Sequence, residues 1–167
     1  MGLMIDLQPG AGRALVVGAG QVAARKLRTL AEAGFEVTVV APAFLDEIAL
    51  HPRVRRVVRP FHESDLEGAA LVIAATSDRA LNQHIGALCR ERDILVLVTD
   101  RQDESTFFTP AVIRDGELAI AVSTGGASPT LAKAIRERIV AALGPDWSDV
   151  VRLARADREE RLGRERQ

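Results

Sequence analysis

The stretch Val16-Val17-Gly18-Ala19-Gly20-Gln21-Val22-Ala23 limits the possible folds more than any other part of the chain. Arg13 to Val17 is a short apolar run that reads as a buried strand, and it stops at a glycine. From Gly20 the pattern turns helical: Ala23, Leu27 and Leu30 share one face, while Arg25, Lys26 and Arg28 fall elsewhere. The spacing is GxGxxA at a strand–helix junction, and each position has a physical reason. Gly18 permits a tight turn, Gly20 has no side chain and lets main chain approach a pyrophosphate, and Ala23 lets helix and strand pack closely. The opening amides of the helix and its positive dipole end then face the anion. Gly18 and Gly20 are therefore candidate cofactor-binding residues. The alternative is a glycine turn that merely packs well, and the strand–turn–helix setting favours the dinucleotide.

The same alternation continues. Val37 to Val40 reads as a second buried strand stopped by Ala41-Pro42, followed by a short helix near Phe44 to Leu50. Val54 to Val58, flanked by Pro52 and Pro60, is a third strand, and Leu71 to Ala75 a fourth, apolar throughout as for a strand covered on both faces. Asp78 can cap a helix in which Leu81, Ile85 and Leu88 share a face, and Ile94 to Val98 is a fifth strand. Strands alternating with helices predict an α/β fold: a Rossmann-like, doubly wound parallel sheet with right-handed crossovers. After Asp100 the rhythm changes. Phe107 to Ile113 and Leu118 to Val122 flank Asp115-Gly116, a hairpin signal. Thr124-Gly125-Gly126 leads to a helix with Ser128 at the N-cap, Pro129 at its first position and an apolar stripe of Ala132, Ile135, Ile139 and Ala142, broken by Gly144-Pro145. A last helix puts Trp147, Val150, Val151 and Ala154 on one face. The expected organisation is a nucleotide-binding domain over residues 1–108 and a hairpin-plus-helix part over 109–167.

Composition excludes several functions. The 22 basic and 23 acidic residues nearly cancel, which disfavours binding along a phosphate backbone. Aromatics are 4% with no tyrosine, so a base-stacking platform is not expected. The single cysteine, Cys89, allows no internal disulfide and no thiolate metal cluster, and it lies on a helical apolar stripe, as a core residue would. His51, His62 and His84 have no metal-ligand spacing, so no metal site is expected. No apolar run reaches about 18 residues, and the start has no basic segment followed by an apolar one, so the expected compartment is the cytoplasm, without membrane or nucleic-acid partners. An acidic residue normally ends the second strand of such a fold and holds the adenosine ribose. Here the strand ends in Ala41-Pro42-Ala43, and the nearest basic residue downstream is Arg53. That favours NAD over NADP and disfavours a generic dehydrogenase built on the acidic ribose clamp.

Several segments together resemble the precorrin-2 dehydrogenase family, the first domain of siroheme synthases. They are Val16 to Lys26, Val37 to Pro42, Ala74 to Asp78 with Asn82, Val98-Thr99-Asp100, and Leu118 to Pro129 with Leu131 to Arg136 behind it. The Arg25-Lys26 pair and the Ser-Thr-Gly-Gly-x-Ser-Pro element are the most family-specific, and the likeness covers residue 12 to about 150. The resemblance implies NAD-dependent oxidation of precorrin-2 to sirohydrochlorin in siroheme biosynthesis, with ferrous iron insertion in some members, by a homodimer whose C-terminal parts are exchanged between subunits. It implies that Asp100 is required for the oxidation, as general base or orienter; a turn-capping aspartate is the plainer reading of that residue. It carries the cofactor contacts to Gln21, Val22, Pro42, Ala43 and Thr76, and places Thr124 and Gly125 near the tetrapyrrole, where the plainer reading is a helix-entry loop. The polycarboxylate substrate calls for cations, with Arg25 and Lys26 as candidates beside Lys133 and Arg136. The chain departs from the family in Ala19 and in the charged run Arg101 to Phe107, and no methyltransferase segment follows, so a three-activity enzyme is not expected. The competing readings are a non-catalytic NAD-sensing dimeric module that regulates a partner, and a tetrapyrrole-binding chelatase that no longer oxidises.

Overall fold

The computed structural model describes residues 2–49, 51–52, 54–144 and 146–165. Leu50 at the end of the predicted short helix, Arg53, and Pro145 of the predicted Gly144-Pro145 break lie outside the described residues. The chain divides into two compact units, Leu3–Phe108 and the residues from Thr109 onward.

The first unit is the predicted parallel sheet. β1 (Arg13–Val17), β2 (Val37–Ala41), β3 (Val54–Val58), β4 (Ala69–Ala74) and β5 (Leu95–Val98) lie in the order β3-β2-β1-β4-β5, every pair parallel. Between them run α1 (Gln21–Glu32), α2 (Asp46–Ala49) and α3 (Arg79–Glu91). Because side chains alternate along a strand, β1 feeds two separate cores. Ala14 and Val16 pack with Ala23, Leu27 and Leu30 of α1 on one face, while Leu15 and Val17 pack with Ile85, Leu88 and Cys89 of α3 on the other. The inner strands are therefore covered on both sides and run largely apolar, while the edge strand β3 carries Arg55 and Arg56 exposed. The connections leave β1 and β4 in opposite directions, so a crevice opens at their carboxyl ends, where open α/β sheets take ligands.

The segment predicted as one strand, Phe107 to Ile113, is not one. Phe107 N donates to Val96 O at 3.4 Å, continuing the residues just before it, which close the outer edge of β5: Thr106 N donates to Val96 O at 2.8 Å, Val96 N donates to Thr106 Oγ1 at 2.8 Å, and Val98 N donates to Ser105 Oγ at 2.9 Å. Pro110 has no N–H to give a ladder. The strand begins only at Ala111.

In the second unit, β6 (Ala111–Asp115) pairs antiparallel with β7 (Leu118–Val122). α4 (Pro129–Leu143) is capped by Ser128, whose Oγ accepts from Leu131 N at 3.1 Å. Of the stripe predicted for α4 only Ala132 is buried, and Leu131, Ile135 and Val140 are exposed. α5 (Trp147–Glu165) is tied to the hairpin by Ser148 N donating to Asp115 Oδ2 at 3.1 Å. Among the described residues no helix is long and apolar enough to cross a membrane.

Candidate cofactor-binding cleft

A cleft of about 530 Å³ opens over the carboxyl ends of β1, β2 and β4. Its floor is the glycine turn, Gly18 to Gly20; one wall runs from Val40 to Leu45 with Pro60 and Phe61, and the other from Ala75 to Asp78 with Leu81.

The two glycines do different work. Gly18 sits at φ 102°, in the left-handed region, and a Cβ built there would lie 2.4 Å from Ala75 O. The turn is held on both sides, by Gly18 N donating to Val40 O at 2.9 Å and Ala75 N donating to Val17 O at 2.8 Å. Gly20 has an ordinary extended backbone, φ −89° and ψ −173°. A Cβ there would meet nothing within 4 Å. Gly20 is thus not required by packing. Its missing side chain leaves open the space above the first amides of α1, which have no carbonyl partner within the helix. An uncovered helix start under a glycine fits the pyrophosphate of a dinucleotide.

The other predicted residues fall as follows. Pro42, Ala43 and Thr76 line the cleft. The side chains of Gln21 and Val22 do not; they line a second depression of about 300 Å³ with Arg25, Arg28 and Glu47. Arg25 is exposed, and Lys26 is half-buried on α1. Burial, with Arg25 next to it, pushes the Lys26 ammonium below its usual range. Thr124 and Gly125 form the entry to α4 within the second unit. Thr124 Oγ1 accepts from Ser128 N at 3.0 Å and lies 3.1 Å from Ser128 O, and Gly125 takes φ 63° with open space beside it.

Asp100 follows β5, half exposed, and belongs to a network that no single segment announces. Arg79 Nη1 donates to both carboxylate oxygens of Asp100 at 3.1 Å, and Asn82 Nδ2 donates to Oδ1 at 3.3 Å. Asn82 is buried on α3 and fully engaged: it also donates to Thr76 O at 3.1 Å and accepts from Thr76 N at 3.1 Å, with Thr76 Oγ1 2.7 Å away. The cleft wall at Thr76 and the carboxylate at Asp100 are thereby joined through one amide. The other terminal nitrogen of Arg79, Nη2, is held by both oxygens of Glu104. Hydrogen bonding by Glu104 first, and by Asp100 second, raises the Arg79 pKa above its already high value. The sequence reading missed Arg79 and Glu104 and gave Asn82 no role in the site. The available signal was the i, i+3 spacing of Arg79 and Asn82 in the first turn of a helix that starts beside the cleft.

Fold and cleft together define an NAD(P)-binding α/β protein of the Rossmann-like kind. Residues 3–111 match the family described as putative NAD(P)-binding, and residues 115–142 match the one described as sirohaem biosynthesis protein central. The chain belongs to the putative NAD(P)-binding family, and the resemblance read from its residues is borne out. It is 44% identical over 128 residues to a siroheme synthase of Thioalkalivibrio sulfidiphilus, covering 75% of this chain and 26% of that protein. It is 42% identical over 151 residues to a siroheme synthase of Methylococcus capsulatus, covering 89% of this chain and 32% of that protein. The chain thus spans less than a third of the length of these curated relatives. Among solved structures, SirC, a precorrin-2 dehydrogenase, superposes with a TM-score of 0.73 at 29% identity, covering 91% of this chain and 75% of that one.

Proposed function

We propose that the chain is an NAD-dependent precorrin-2 dehydrogenase that oxidises precorrin-2 to sirohydrochlorin in siroheme biosynthesis. One observation carries this beyond nucleotide binding: Asp100 stands at the carboxyl end of β5, joined through Asn82 to the cleft wall at Thr76. A nucleotide sensor has no use for a fixed carboxylate there.

NAD, when bound, supplies the hydride acceptor. The chain's own residues do the rest. The amides of Gln21 and Val22 grip the diphosphate over Gly20, while Pro42 and Ala43 give the ribose main chain and a small apolar surface. Among the described residues, no lysine or arginine lines the cleft to meet a 2′-phosphate. Arg59, just before the cleft-lining Pro60, is engaged by Asp65 through two bonds of 2.8 and 2.5 Å, and Arg28 faces Glu47 at 3.6 Å. This supports NAD over NADP. Asp100 takes the ring proton that must leave as hydride departs. Its Oδ2 is the receiving atom, because Oδ1 already accepts from both Arg79 and Asn82.

Arg25 and Lys26 of α1 offer the cations for the carboxylates of the tetrapyrrole. The exposed Leu131, Ile135 and Val140 of α4 support a homodimer in which the part from residue 109 onward is the dimerisation element. A chain whose one cysteine is a buried free thiol suits the cytoplasm. The test is to add precorrin-2 and NAD and to follow NADH absorbance. Turnover is expected. Tight NAD binding with no NADH from authentic substrate overturns the reading in favour of the sensor.

A further inference from the structure

We propose that Arg79 is the positioning residue for Asp100, and that Glu104 acts by dividing the Arg79 guanidinium between two carboxylates. The proposal rests on the reading of Asp100 as the proton acceptor. Asp100 sits in a turn and is half exposed, so its own backbone does not fix its rotamer. Two side chains do, Arg79 and Asn82, both from the first turns of α3.

An unshared arginine meets a carboxylate with two nitrogens in parallel. Here only Nη1 reaches Asp100, equidistant from its two oxygens, because Nη2 is occupied by Glu104. Glu104 cannot readily leave. Its own carbonyl accepts from Arg90 Nη1 at 2.6 Å, and the next residue, Ser105, is bonded to β5. One positive charge thus serves two negative ones. Asp100 is oriented while the trio keeps a net negative charge, as a proton acceptor needs. The same arrangement gives a use to the charged run Arg101 to Phe107.

The test uses the full chain and the NADH assay, with Asp100→Ala run in parallel and thermal melts of every variant. Arg79→Ala is expected to lower kcat by about tenfold or more, since small misplacements of a reacting group have effects of that order. The KM for precorrin-2 and the affinity for NAD are expected to stay within about twofold, and Arg79→Lys to recover part of the loss by keeping a cation beside both carboxylates. Glu104→Ala is expected to lower kcat by a smaller factor, and the double variant Arg79→Ala/Glu104→Ala to lose nothing beyond Arg79→Ala. A kcat equal to the parent's in Arg79→Ala overturns the proposal. So does a raised KM with unchanged kcat, which makes Arg79 a substrate contact, and so do additive losses in the double variant. Should Arg79→Ala melt below assay temperature, Arg79→Lys and Glu104→Gln decide: unchanged kcat in both overturns it. A fully active Asp100→Ala instead refutes the reading of Asp100 itself. An inactive Asp100→Ala beside an unaffected Arg79→Ala refutes only the role of Arg79.

Discussion

The two glycines of the opening turn can be separated by experiment, because one serves the fold and the other serves the ligand. Alanine at Gly18 places a methyl 2.4 Å from Ala75 O, at φ 102°. The left-handed conformation alone costs about 1–3 kcal/mol, and the clash with backbone adds to it. For a unit of this size that lowers Tm by about 10 °C or more, at roughly 4 °C or more per kcal/mol. Alanine at Gly20 meets nothing within 4 Å and takes an extended backbone any residue adopts. Its one cost is that alanine is a poorer N-cap than glycine, about 0.5–1 kcal/mol or a few degrees.

The effects on NAD run the other way. The Gly20 methyl stands over the opening amides of α1, where a phosphate oxygen must come. Losing one hydrogen bond to a charged group removes about 1.5–3 kcal/mol, which weakens binding by about 10–100-fold. Gly20→Asp adds charge repulsion and is expected to abolish binding. Circular-dichroism melts and NAD titration calorimetry on the parent, Gly18→Ala and Gly20→Ala decide the matter. Gly20→Ala binding NAD as tightly as the parent, or Gly18→Ala melting with it, refutes the assignment of roles.

Asp100→Ala is expected to keep parental NAD affinity while turnover falls by about 10²–10⁴-fold, as for a lost general base; a fully active variant, read by NADH absorbance, removes Asp100 from the reaction. Burial pushes the Cys89 thiol up to about 11 from its ordinary 9.0, so the folded state favours the neutral form. The stability this brings is present below 9.0 and is lost as pH rises through about 11. The native protein should ignore a thiol reagent at pH 8 and react once unfolded in urea; prompt native labelling would contradict this burial. The Arg59 guanidinium beside Asp65 holds that carboxyl below its ordinary 3.8, opposed by burial and aided by His62 N. Its contribution is therefore full above 3.8 and disappears as pH falls through the lower folded value. Acid melts should show the gap between the parent and Asp65→Asn narrowing over that window; a constant gap would contradict it.

What was legible in the sequence was what the chain settles locally. The glycine turn is a contiguous feature, and β1 and β3 begin and end at the residues expected from the sequence. The faces of α1 and α3 followed from period alone, since Leu27, Leu30, Ile85 and Leu88 are all buried. Phe107 to Ile113 was misread because an apolar run carries no mark of where its amides go. Thr106 and Phe107 spend theirs on Val96, across the edge of β5. The stripe of α4 was legible as a face that needs cover, but period does not say what covers it, and within its own unit only Ala132 is buried.

The network around Asp100 failed to show for a different reason. Arg79 lies 21 residues before Asp100 and 25 before Glu104, on a helix whose polar face reads as solvated. The one local clue was a departure: Glu104 stands in a run more charged than the family resemblance leads one to expect. Unpaired, such a carboxylate four residues from a proton acceptor would repel it and pull cations away from it. Paired with Arg79, it does the opposite, taking up the half of the guanidinium that would otherwise cap Asp100. A residue that breaks a family pattern near a site is then best tested together with the most distant oppositely charged residue that the fold can bring beside it. Here that pair is Arg79 and Glu104, and the sequence alone gives neither a reason to look for the other.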